Sequence, residues 1–159
     1  MKNIAIDGPA GAGKSTAAKI VANKLGILYL DTGAMYRAIG LKALKLNINT
    51  RDIPAVEAML PSTVVEIKYV DGVQNIFLDG ENVNAFIREH AVSMAASDVS
   101  AIPAVRLKLV ELQREIAKKN DCILDGRDIG TYVLPDANYK FFITATAEER
   151  ANRRYKELL

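Results

Sequence analysis

Gly8-Pro9-Ala10-Gly11-Ala12-Gly13-Lys14-Ser15 carries the spacing G-x-x-x-x-G-K-[ST] close to the start of the chain, the pattern of a loop that wraps phosphate groups. Each residue type has a physical task there. The glycines let backbone N–H groups turn inward where a Cβ would obstruct them. Lys14 adds a cation near the outer phosphates, and the Ser15 hydroxyl suits a hard divalent ion. The flanks agree with the loop. Asn3-Ile4-Ala5-Ile6 reads as a short buried strand, and Ser15 to Leu25 as a helix closed by Gly26. Phosphates would then lie at a helix N-terminus, where open amides and the macrodipole favour anions.

The rest of the chain bounds what surrounds that loop. At 159 residues, half of them hydrophobic and a quarter charged, it suits one well-buried core with room for a small insertion. A net charge of +2 is too small for bulk nucleic-acid binding, so anion recognition falls to individual arginines. The one cysteine, Cys122, excludes an internal disulfide and sits in the apolar run Cys122-Ile123-Leu124 as a small hydrophobe. No apolar stretch reaches membrane-spanning length and no leader is legible, so neither membrane nor nucleic-acid partners are expected, and the cytoplasm is.

Four apolar runs, Asn3–Ile6, Ile27–Leu30, Cys122–Leu124 and Tyr139–Ile143, read as parallel strands separated by helical patterns. The expected fold class is therefore α/β: a three-layer arrangement, parallel sheet flanked by helices. A helix opens at Pro103 with Val105, Leu109, Leu112 and Ile116 at helical spacing, and another at Thr146, where Thr146-Ala147-Glu148-Glu149 has capping-box form. Between about Thr63 and Val83 the texture changes. Two β-type runs flank Asp71-Gly72, a hairpin signal, which predicts a small antiparallel insertion. The domain reading is one unit over 1–159, with core segments 1–60 and 96–145, an insertion at about 61–95, and the start of a further helix at 146–159.

In such a sheet, ligands gather beyond the carboxyl ends of the strands. The second strand runs into Asp31-Thr32-Gly33-Ala34-Met35-Tyr36-Arg37 and the third into Asp125-Gly126-Arg127-Asp128. Asp125 is placed to influence a Mg²⁺ water shell, though Asp-Gly is equally a turn former. Arg37 and Arg127 offer forked donors for a second phosphate, though either alone reads as a solvated side chain. Jointly, two arginines and an acid beside a phosphate loop suit transfer between two phosphorylated ligands. His90, the one histidine, reads as an ordinary helix residue, since such transfer needs no covalent intermediate.

These segments together resemble the bacterial cytidylate kinase family. The likeness rests on Gly8–Ser15, on Asp31 through Arg37, and on Asp125-Gly126-Arg127-Asp128-Ile129-Gly130-Thr131. Ala95-Ala96-Ser97, Pro103 and Arg106 extend it. The resemblance implies a nucleoside monophosphate kinase, a monomer, that uses ATP as donor, CMP or dCMP as acceptor, and Mg²⁺. Gly8, Pro9, Ala10, Gly11, Ala12, Gly13, Lys14, Ser15 and Thr16 would hold the ATP phosphates, with Ser15 on the metal and Asp125 reaching it through water. Lys14, Arg127 and Asp125 would form the catalytic group. Arg37 and Arg127, with Thr32 nearby, would hold the acceptor phosphate, while Ser97, Arg106 and Asp128 would read the cytosine. The chemistry of the base agrees: a carboxylate accepts from N4, and an arginine donates toward N3 and O2. Ser97 and Arg106 taken alone read equally as helix packing and surface charge.

In the family the helix that begins at Thr146 leads into a mobile lid, a last strand and a final helix. The sequence stops at Leu159, inside that helix, so Tyr139–Ile143 is expected to form an uncovered apolar edge, with weak activity and poor solubility. Rival readings are a P-loop kinase acting on another monophosphate or a hydroxylated metabolite, and a nucleotide-binding fragment. A GTPase switch would need a guanine-reading Asn-Lys-x-Asp, which Asn138-Tyr139-Lys140 does not supply.

Overall fold

A computed structural model of the chain describes residues 2–159. In chain order the elements are β1 (Asn3–Asp7), α1 (Lys14–Leu25), β2 (Leu28–Asp31), α2 (Thr32–Lys45), α3 (Ile53–Met59), β3 (Val65–Val70), β4 (Val73–Leu78), β5 (Glu81–Asn82), α4 (His90–Ser100), α5 (Pro103–Lys119), β6 (Cys122–Gly126), β7 (Tyr139–Phe142) and α6 (Ala147–Leu158). A π-helical turn, Ile129–Val133, follows β6. The chain divides into two compact units: one of residues 1–32 and 113–159, the other of residues 33–112.

The first unit is built on a four-stranded sheet in the order β2-β6-β1-β7, parallel throughout. The apolar runs form these strands because burial on both faces removes the need for polar alternation. Ile4, Ile6 and Ile123 pack with Ala18 and Ala22 of α1, and Val21, Ile27, Tyr29 and Ile143 complete the cluster. Small alanines on the inward stripe of α1 let the helix lie close to the sheet. It ends where Gly26 adopts the left-handed conformation at φ 65°, as the sequence predicts. Parallel strands bring Asp7, Asp31, Gly126 and Phe142 to one edge of the sheet. At its β7 end the sheet exposes Tyr139, Phe141 and Phe142 (55%, 55% and 71%).

The second unit holds the antiparallel sheet, in the order β3-β4-β5. Asp71 and Gly72 turn the first hairpin with φ of 51° and 77°, the doubly left-handed turn that matches strand twist. A second Asp-Gly turn, Asp79-Gly80 (φ 51° and 87°), adds the short strand β5, which the sequence reading did not anticipate. Nor did it anticipate α3, whose cap is nonetheless readable: Asp52 accepts from Ala55 N at 3.2 Å, with Pro54 in the first turn. Helices α2 and α4 approach so closely that a Cβ on Gly40 would stand 2.8 Å from Ala96 N. Only glycine allows that contact.

Candidate active site

The phosphate loop runs from Gly8 to Gly13, between β1 and α1. Gly8 holds φ 149°, and a Cβ there would stand 1.9 Å from Ile143 O, so no other residue fits. Its N–H donates to Gly126 O at 3.2 Å, fastening the loop to the end of β6. Lys14 Nζ donates to Pro9 O at 3.2 Å. Burial lowers the Lys14 pKa, with Asp125 opposing that shift and Arg127 adding to it. Ser15 and Thr16 are exposed on the first turn of α1. Gly13 caps that helix without a side chain, so its first amides stay open to an anion.

Beside the loop, β6 delivers Asp125, which is 5% exposed. Its register partner on β2 is Asp31. Burial and the charge of Asp31 push the Asp125 carboxyl above its ordinary range, against a hydrogen bond from Tyr29 and the charges of Lys14 and Lys19. Tyr29 Oη donates to Asp125 Oδ2 at 2.5 Å. Thr32 Oγ1 donates to Asp125 O at 2.6 Å, so the Thr32 proton is committed to the strand end. Asp31 and Asp125, paired at the ends of β2 and β6, offer carboxylate oxygens of the kind that suits Mg²⁺, an ion that keeps several waters and takes few protein ligands.

Arg127 lines a cavity of about 440 Å³ with Gly8, Pro9, Ala10, Phe142, Thr144 and Arg150. Asp128 is half-buried and caps the π-helical turn through its carbonyl, which accepts from Tyr132 N at 2.9 Å and Val133 N at 3.2 Å. From α6, Arg153 Nη1 donates to Gly11 O at 2.6 Å. Arg150 lies against the same loop: a Cβ on Gly11 would meet its Cα at 3.1 Å. The Arg150 Nε is buried with no hydrogen-bond partner among the described residues. The first unit thus gathers Lys14, Ser15, Thr32, Asp125, Arg127 and Asp128 at one sheet edge.

In the second unit, Arg37 is half-buried on α2, Ser97 is exposed on α4 and Arg106 is half-buried in the first turn of α5. The Gly40 contact holds the helices of Arg37 and Ser97 together. Thr50 Oγ1 donates to Asp98 Oδ2 at 2.6 Å, securing the turn of α4 that carries Ser97.

The cytidylate kinase family matches residues 4–159. The chain is similar to the cytidylate kinase of Caldicellulosiruptor saccharolyticus, with 60% identity over 156 residues that span 98% of this chain and 69% of that protein. It is also similar to the cytidylate kinases of Clostridioides difficile, 56% identical across 98% of this chain and 70% of that protein, and Symbiobacterium thermophilum, 55% identical across 98% and 69%. The chain belongs to the cytidylate kinase family.

Within this family member, the sequence reading missed two participants around the loop, Tyr29 and Asp7. Tyr29 lies in the run Ile27–Leu30, expected as a strand, and was given no role of its own. A lone phenol hydroxyl in an apolar strand next to Asp31 was the available signal, because a buried phenol needs a partner. Arg150 and Arg153 were expected, with Arg154, as contacts on the lid side; their approach to Gly11 depends on where α6 docks and was not legible. Asp7, immediately before Gly8, lies one residue beyond the strand expected from the sequence and was given no role.

Proposed function

We propose that this chain transfers the γ-phosphoryl group of ATP to CMP or dCMP, yielding ADP and CDP or dCDP. The observation that carries the reading is the bond from Gly8 N to Gly126 O, which joins the phosphate loop to the strand end bearing Asp125, Arg127 and Asp128. Family membership and the names of the relatives support CMP as acceptor.

An oxygen of the acceptor phosphate forms the new bond to the γ-phosphorus, while the bond to the bridging oxygen breaks and its electron pair leaves with ADP. The attacking oxygen is already ionised near neutral pH, so positioning and charge neutralisation supply the catalysis rather than a base. Backbone amides from Gly8 to Thr16 and the Lys14 ammonium hold the donor phosphates. Ser15, and Asp125 through water, would hold Mg²⁺, which would supply neutralising charge to the phosphates. Arg127 and Arg37 bind the acceptor phosphate. Asp128, Arg106 and Ser97 read the cytosine, and Asp128 excludes uracil by setting a carboxylate against its O4. The segment 61–95 belongs to acceptor binding, and 146–159 begins the lid that excludes water. A monomer working on free cytoplasmic nucleotides completes the proposal.

ADP release from Mg-ATP, measured with CMP, dCMP, UMP, AMP, GMP or no acceptor, tests it. The expected result is strong stimulation by CMP alone among the ribonucleotides. Hydrolysis independent of acceptor, or a preference for AMP, would sink the reading.

A further inference from the structure

Asp7 is a buried carboxylate, 8% exposed, at the last position of β1, and no role above uses it. Its two oxygens accept from two successive backbone amides: Ile129 N donates to Oδ1 at 2.7 Å and Gly130 N to Oδ2 at 2.8 Å. Such charge-assisted bonds are shorter and stronger than neutral ones, more so when buried. One residue on, Gly8 N donates to Gly126 O at 3.2 Å, and Asp7 itself is the register partner of Gly126. The segment 126–130 is thus fastened at both ends to the same two residues, Asp7 and Gly8. Between the fastenings stand Arg127 and Asp128, an arch of two residues. Gly130 fits the clamp closely, since a Cβ there would lie 3.3 Å from Asp7 Oδ2 and 3.2 Å from Lys140 Cδ.

The geometry points to Asp7 as the positioning residue that aims Arg127 and Asp128 at the acceptor, and that fixes them to the start of the donor loop. It touches no nucleotide; it acts through the arch. The inference rests on the proposed reading of Arg127 and Asp128 as acceptor contacts. A carboxylate is required because both partners are donors. In Asp7→Asn the carboxamide oxygen still accepts one amide, but its NH₂ faces the other, and one end of the clamp opens.

The test uses the 159-residue chain, with calorimetric titration of CMP, UMP and Mg-ADP and hydrogen exchange at Ile129 and Gly130. Asp7→Asn is expected to speed exchange at the one amide that faces the carboxamide NH₂ and to weaken CMP binding about tenfold, equivalent to about 1.4 kcal/mol, with Mg-ADP affinity held within about twofold. Combined with Asp128→Ala, it is expected to cost CMP less than the product of the two single losses, because both act through one arch. Equal weakening of CMP and Mg-ADP overturns the inference by reducing Asp7 to a support of the whole loop, as does unchanged exchange at the two amides. If Asp7→Asn does not fold, Gly130→Ala pushes the same turn off the intact carboxylate and must reproduce the split between CMP and Mg-ADP. CMP bound no more tightly than UMP by the unaltered chain overturns the kinase reading instead, and the exchange result still decides the clamp.

Discussion

Cys122 begins β6 with its side chain fully buried. Burial, and then the charge of Asp121, push its thiol up to about 12. At about pH 8 the thiolate is then roughly one part in ten thousand, and the thiolate is the reactive form. Iodoacetamide is expected to leave the native chain unlabelled over hours and to take up one equivalent once the chain is unfolded in guanidinium. Comparable labelling of the native protein would show that β6 opens readily or that the site is not buried. At this scale the sequence was informative for Cys122, because Ile123 and Leu124 flank it. It was silent on the bond between Tyr29 and Asp125, which lie 96 residues apart and meet only through the register of β2 on β6. A register between distant strands is decided by packing, not by either segment alone.

Elements show the same division between local and tertiary causes. The turn at Asp71-Gly72 and the cap of α6, where Thr146 and Glu149 exchange bonds of 3.1 and 3.0 Å, were legible because both are made by neighbours in sequence. The π-helical turn Ile129–Val133 was not, because Asp7 holds its first amides from across the sheet. In the second unit, one contact of this tertiary kind fastens α2 to the hairpin. Lys42, 8% exposed, sits 2.8 Å from Asp79 Oδ2 and donates to Ser62 O at 2.9 Å. Burial works against the Asp79 carboxylate, but the Lys42 hydrogen bond, the Val64 amide and the charges of Lys42 and Lys108 outweigh it and hold Asp79 below its ordinary 3.8. A depressed carboxyl contributes stability that is present above 3.8 and lost as the pH falls through the folded value, since the unfolded chain binds the proton first. Asp79→Asn, which tolerates the positive φ of this turn, is therefore expected to lower the urea midpoint at neutral pH. That difference should close as the pH falls below the folded pKa. A deficit that persists unchanged in acid would assign the loss to packing rather than to charge.

Across the whole molecule, the α/β class and both strand ends of the first unit followed from patterns that repeat along the chain. The boundary of the second unit did not, because it falls at 33 and 112, inside or beside helices that carry no change of composition. The chain contains four Asp-Gly steps, at residues 7, 71, 79 and 125, and the fold treats them unequally. Succinimide formation, the first step of aspartate isomerisation, requires the side-chain carboxyl to swing onto the nitrogen of the following glycine. Asp7 is held by two amides and Asp125 by Tyr29 in a buried setting. Asp79 is pinned between Lys42 and Val64 N, each at 2.8 Å. Asp71, exposed at a hairpin tip, is the one of the four without such a bond among those described. Prolonged storage at neutral pH should therefore convert Asp71 to isoaspartate first, detectable by peptide mapping as a shifted fragment of unchanged mass. The bond that fastens α2 to the hairpin thus also sets where in the chain chemical ageing begins.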